Sequence, residues 1–277
     1  MLAQSAYGKS RVRLVQLRRR GDRDDLRDLT VGIQFRGHYD DAYTEGNNRA
    51  VLPTDTMKNT VYALAAAAPV REPEAFGLRL ARHFVAGNPR LMRARLDLSE
   101  HLWARLRKGE REHGHAFVRQ GPETRTATAL VTRRGERVGG GLADLLLLKS
   151  AGSAFDGFLR DEFTTLADTR DRILATSLTA AWHYRSTEID FDPAWHAVRR
   201  TLLDVFAEHV SESVQHTLHA MGQAVLDAVE DVTAIRLVMP NKHHLPFDVA
   251  RFGFENRNEI FVPTDEPFGL IEATLTR

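Results

Sequence analysis

The sequence predicts an α+β protein built from two antiparallel sheets, each carrying its helices on one face. Three observations lead there. First, Leu29, Val31, Ile33 and Phe35 alternate with Thr30, Gly32, Gln34 and Arg36, the period-two signature of a strand with one buried face. Second, two segments of helical spacing follow before strand-like runs return. Third, the order strand–strand–helix–helix–strand–strand then repeats. The seam falls near Gly139-Gly140-Gly141 and divides the chain into residues 1–138 and 139–277.

In order, residues 11–36 form a hairpin. After an Asn47-Asn48 turn, Met57, Val61, Leu64 and Ala68 recur at helical spacing, with Thr54 or Asp55 as the natural N-cap. A second helix starts at Pro73, turns Phe76, Leu80 and Phe84 inward, and closes at Asn88-Pro89. Strands are expected over 91–103, 116–119 and 124–133, with turns at Lys108-Gly109 and Gly121-Pro122. In the second half, strands over 143–149 and 176–186 bracket a glycine-bearing stretch; in the latter Leu178, Ala180, Trp182 and Tyr184 alternate. One helix then carries Trp195, Val198, Leu202, Val205 and Phe206, the next Val214, Leu218, Met221 and Val225. Strands over 233–239, 247–250 and 259–262 follow, with Pro246 at a strand start or edge. Sheets covered on one side must hide or close the other, which points to oligomerisation and closure into a barrel.

Composition narrows the function. With 277 residues, 43% of them hydrophobic, the chain can bury a full core. A net charge of +1 supplies no field for nucleic acid or an acidic membrane. The Arg18-Arg19-Arg20 cluster runs straight into Gly21-Asp22-Arg23-Asp24-Asp25, which reads as a solvated hairpin tip. The absence of cysteine removes disulfides, thiolate metal ligands and thiol nucleophiles, and suits a cytosolic protein. The longest apolar run, 142–148, is too short to span a bilayer. There is no P-loop, no G-x-G-x-x-G after a strand, no G-x-S-x-G elbow and no H-E-x-x-H; the triple glycine precedes a strand, not a helix. Of twelve histidines, His113 with His115, His243 with His244, and His216 with His219 are the candidate metal pairs, but none has an obvious third ligand.

Four places carry candidate chemistry. In the stretch 149–174, glycines permit close backbone approach, Phe155 stands as an isolated aromatic, and Arg172 lies in a helix-like run. A ring face and a planar guanidinium together suit a flat anionic heterocycle. The same residues would equally serve a core-anchored loop with Arg172 on a solvated helix face. Thr54-Asp55, at a helix N-terminus, offers unpaired N–H groups, or Thr54 simply caps the helix. Met239-Pro240-Asn241-Lys242-His243-His244 ends a strand with hydrogen-bonding side chains, as site loops do. Lys9 has Arg11 and Arg13 close by, cations that oppose its charged form, or is simply an N-terminal lysine.

Taken together these pieces resemble the urate oxidase (uricase) family of the tunnelling fold. The matching segments are Tyr7-Gly8-Lys9, Thr54-Asp55-Thr56-Met57-Lys58-Asn59-Thr60-Val61-Tyr62, the stretch 149–174, Ser213-Val214-Gln215, Pro240-Asn241-Lys242-His243, and Asp265-Glu266-Pro267-Phe268-Gly269-Leu270-Ile271. They occur in order over nearly the whole chain.

The resemblance implies two tandem ββααββ tunnelling-fold (T-fold) domains and a homotetramer whose sheets close into a tunnel, with each site at a subunit interface. Lys9, Thr54 and Asp55 would come from one subunit, and Phe155, Arg172, Val214, Gln215, Asn241 and His243 from its neighbour. The reaction implied is oxidation of urate by O2 to 5-hydroxyisourate and hydrogen peroxide, with no metal and no cofactor. Lys9 with Thr54 would be the base system and His243 the proton relay. Phe155 would stack on the ring, Arg172 and Gln215 would hold opposite edges, and Asp55 and Val214 would give backbone N–H groups. Asn241 would hold the oxygen species. Two other readings share these residues: a non-catalytic purine binder, and a pterin-processing enzyme of the same fold. The chain ends at Leu275-Thr276-Arg277 without a peroxisomal Ser-Lys-Leu signal, so a cytoplasmic enzyme is expected.

Overall fold

In the computed structural model, which describes residues 2–277, the elements follow the expected order. They are β1 (Tyr7–Arg20), β2 (Arg23–Gly37), α1 (Asp40–Thr44), α2 (Thr54–Ala67), α3 (Pro73–Gly87), β3 (Leu91–Lys108) and β4 (Arg111–Thr132). The second series is β5 (Gly135–Lys149), β6 (Leu174–Tyr184), α4 (Phe191–Glu208), α5 (Val214–Ala228), β7 (Val232–Pro246) and β8 (Phe261–Thr276). The eight strands form an antiparallel sheet in which neighbours follow chain order, so β1 and β8 are its edges. Two compact units divide the chain. The first runs through Leu142 and takes in Trp182–Trp195; the second comprises Ala143–Ala181 with His196–Arg277.

In the first unit the alternating residues of β2 form one wall of the core: Leu29, Val31 and Phe35 are fully buried and Ile33 nearly so. Each such side chain, moved from water to the interior, contributes about 1.5–3 kcal/mol. Helix α3 lies on β3 and β4 and presents Phe76, Leu80 and Phe84, with the Phe84 ring 5.0 Å from Phe35. Arg125, on β4, is buried between two carboxylates. It donates to Glu74 at 2.8 Å and to Asp192, and its guanidinium lies 5.2 Å from the Trp195 ring. In the second unit α5 packs on β7 and β8, burying Val214, Leu218, Met221 and Val225 over Ile235, Leu237 and Met239.

Several boundaries differ from expectation. The strands expected over 116–119 and 124–133 are one strand, because Gly121 takes a left-handed φ of +50° and a register shift opposite it lets pairing continue. The Gly139-Gly140-Gly141 run lies inside β5 rather than before it. The strand expected over 247–250 is absent: Phe247 donates to the Ile260 carbonyl at 3.0 Å and the chain then turns through a short 3-10 segment. Pro246 is the last residue of β7, where its missing N–H interrupts no further ladder. The strand expected over 259–262 starts at Phe261 and runs to Thr276.

Candidate active site

The second unit builds a binding wall from the segment between β5 and β6. Two bridges pin that segment. Ala154 donates to the Ser211 carbonyl (2.7 Å) while Ser211 donates to Gly152 (3.0 Å), and Phe155 and Thr169 exchange N–H···O bonds of 2.7 and 3.1 Å. The Arg172 N–H goes to the Ser153 carbonyl at 2.8 Å, which sets its guanidinium 5.2 Å from the Phe155 ring centroid.

Two expectations are corrected here. Arg172 is not on a helix: its N–H bonds across the loop rather than four residues back, and the Asp168 and Asp171 carboxylates accept from the N–H groups of Gly157 and Gly152. Phe155 is not an isolated aromatic either, since Phe158 stacks on it at 4.9 Å with 10° between the planes.

Arg172 is half-buried, and its Nε has no hydrogen-bond partner. Burial pulls its pKa below the ordinary arginine value. A desolvated guanidinium with a donor uncommitted is a seat for an acceptor-rich anion.

The N-terminus of α5 faces the same site. Ser213 is the N-cap: its Oγ accepts from the His216 N–H at 3.1 Å, and its carbonyl accepts from Thr217 at 3.1 Å. The N–H groups of Val214 and Gln215 are therefore the two helix-start donors left open. From β7 come Asn241 and His243, on either side of a register shift. Asn241 opposes Gly269, His243 opposes Thr264, and Lys242 between them reaches Asp265 at 2.7 Å.

Phe155, Arg172, Val214, Gln215, Asn241 and His243 all line one cleft of about 460 Å³. Sequence reasoning did not assign Leu166, Ile173, Asn258, Phe261 and Ile271, which also line it. Leu166, Ile173 and Ile271 were within reach, because they lie in quoted segments; Asn258 and Phe261 lie in a loop and at a strand start without periodicity.

Lys9, Thr54 and Asp55 belong to the first unit and do not line this cleft. Lys9 sits on β1 opposite Ile33, immediately before a bulge at which Arg11 has a φ of 58°. The N-cap of α2 is Pro53, not Thr54 or Asp55, because the extended proline supplies the carbonyl that accepts from Met57 (3.1 Å). Thr54 and Asp55 are thus the first helical residues, and no side chain caps them. The Asp55 carboxylate turns along the helix to Lys58 (2.5 Å) and Asn59 (2.9 Å). Lys58 first, then Asn59 and more weakly the charge of Lys9, hold the Asp55 pKa below its usual value. With its carboxylate so engaged, Asp55 presents its backbone at the helix start. Among the described residues no three His, Asp or Glu side chains converge as a metal site.

The uricase family profile matches residues 5–129 and 138–272. A uricase of Arthrobacter globiformis is 42% identical over 277 residues, covering all of this chain and 90% of that protein. The uricase of Danio rerio is 36% identical, covering 99% of this chain and 94% of its own. The crystal structure of the Arthrobacter globiformis uricase superposes with a TM-score of 0.96, covering all of this chain and 95% of that one.

Proposed function

The chain belongs to the uricase family, and from that premise we propose that it oxidises urate with O2 to 5-hydroxyisourate and hydrogen peroxide, using side chains and backbone alone. The observation that carries the reading is the cleft in which Arg172, Phe155, the open N–H groups of Val214 and Gln215, and the Asn241–His243 strand converge. Urate is flat, anionic and edged with carbonyl and N–H groups. Arg172 gives two parallel donors to one edge, and the Gln215 amide, donor and acceptor side by side, matches the other. The ring stacks on Phe155.

Lys9 with Thr54 removes a proton from the bound monoanion. The resulting dianion passes two electrons to O2 held against Asn241. Water then adds to the oxidised ring, and His243 relays protons so that urate, O2 and H2O become 5-hydroxyisourate and H2O2. A positioned base is worth ~10²–10⁴ in rate, and the remainder comes from orientation and desolvation.

In this reading the Lys9–Thr54–Asp55 group of one copy completes the cleft of another, within a homotetramer. Two features support it. The edge strands β1 and β8 are 14 and 16 residues long, and edges of that length invite pairing with a second chain. Val15, Leu17 and Leu270 on these strands are also exposed.

The test is anaerobic binding followed by oxygen admission. Urate absorbance should persist without O2, then fall as one peroxide appears per urate consumed, and exhaustive chelation should leave the rate unchanged. Bound urate that stays intact in oxygen would mark a binder, and a rate abolished by chelation would mark a metal enzyme.

A further inference from the structure

Two residues before Lys9 and two before Thr54, a single hydrogen bond joins the two segments: the Leu52 N–H donates to the Tyr7 hydroxyl at 3.1 Å. From this geometry we infer that Tyr7 is a positioning residue for the base pair, fixing the distance between Lys9 on β1 and Thr54 at the start of α2. The inference rests on the assignment of Lys9 and Thr54 as the base system made above.

The Tyr7 ring is half-buried and clamped against the core of the first unit. Its edge contacts set it 5.7 Å from Phe35 and 5.0 Å from Tyr39, at interplanar angles of 85° in both cases. Tyr39 is only 1% exposed, and its hydroxyl accepts from Asn88 at 3.0 Å, which ties the pair to the end of α3. Burial first, then the neighbouring Tyr39, drives the Tyr7 hydroxyl pKa far above its ordinary value, so it stays a neutral hydrogen-bonding group. Tyr7 is therefore suited to hold a backbone and unsuited to give up its proton.

The connection from Tyr7 to Lys9 is equally stiff. Gly8 sits so close to β2 that an added Cβ would lie 1.8 Å from the Ile33 carbonyl oxygen, so only glycine allows the pairing that orients Lys9. On the other side, Leu52 is followed by Pro53, whose fixed φ leads directly into the first turn of α2. No side chain caps α2, so the Tyr7–Leu52 bond is a direct tether on its entry. By contrast, the α5 entry is fixed by its own Ser213.

Misplacing a reacting group by about 1 Å can cost up to ~10²-fold in rate. Tyr7→Phe keeps the ring and removes only the hydroxyl. It should lower kcat roughly tenfold with KM within about twofold, because the substrate-binding cleft lies in the other unit. Amide hydrogen exchange at Leu52, whose N–H loses its acceptor, should speed up in the same variant, while melting shifts by only a few degrees.

Lys9→Met is the parallel control. If Lys9→Met abolishes turnover while Tyr7→Phe keeps kcat within twofold and leaves Leu52 exchange unchanged, the positioning role is overturned and the base assignment stands. If Tyr7→Phe loses activity only in proportion to its folded fraction, Tyr7 is a packing residue and the inference fails. If Lys9→Met retains turnover, the base assignment fails and this inference with it.

Discussion

Arg125 in the first unit and Arg172 in the second are the same side chain in opposite surroundings. Arg125 is 3% exposed and held by carboxylates on both sides. Against the opposing effect of its burial, Glu74 and then Asp192 hold its pKa above the ordinary value. Arg172 is half-buried, has no carboxylate partner among the described residues, and is shifted downward by burial alone. A buried cation whose partners come from the fold serves the fold; Arg172, left without one, lines the cleft instead. Lack of a partner does not by itself mark a ligand site: Arg79 on α3 also has an unpartnered Nε and a pKa lowered by burial alone, so it is the position of Arg172 in the cleft that distinguishes it.

The sharpest way to break that contrast is Arg125→Met. It strands the buried Glu74 carboxylate and should cost about 3–5 kcal/mol in chemical denaturation. A variant as stable as the parent would show that the network is not structural.

Lys9→Met addresses the third cation, which stands beside an already engaged Asp55. It should lower kcat by ~10²-fold or more with KM little changed, measured by steady-state urate consumption. Turnover within threefold of the parent would remove Lys9 from the base role.

Arg172→Ala should leave melting near the parent value and weaken urate binding about 10–100-fold, read by anaerobic titration. Intact affinity would mean that the ring is held without the guanidinium. The smallest effect belongs to Ser213→Ala. It deprives the His216 N–H of its acceptor and should cost about 0.5–2 kcal/mol in stability. It should also raise KM modestly by loosening the N–H groups of Val214 and Gln215.

How far these roles were legible in the sequence depended on how local their cause is. The Leu29–Phe35 alternation and the inward stripe of α3 could be read, because burial on one face leaves a period. The long β8 could not: only Phe261, Thr264, Ile271 and Leu275 along it escape full exposure, so alternation hardly registers. Arg172 was singled out and lines the cleft, but its helix-like surroundings hid a loop held by bonds to distant residues such as Ser153 and Ser211. The Thr54 and Asp55 pair looked like a cap, whereas Pro53 fixes the entry and Tyr7, 45 residues upstream of Leu52, tethers it. Motif resemblance named six residues that the coordinates gather in one cleft, to which they add Asn258 and Phe261.

The central claim is that the base group and the cleft meet across two copies of the chain. The direct measurement is complementation: Lys9→Met and Arg172→Ala chains are co-expressed in equal amounts and assayed as mixed oligomers, at urate far below the raised KM of Arg172→Ala so that each is nearly inactive alone. Each shared site draws Lys9 from one copy and Arg172 from another, so about a quarter of sites should carry both, restoring about a quarter of parental activity. Mixed oligomers that remain as inactive as either variant alone would contradict the account.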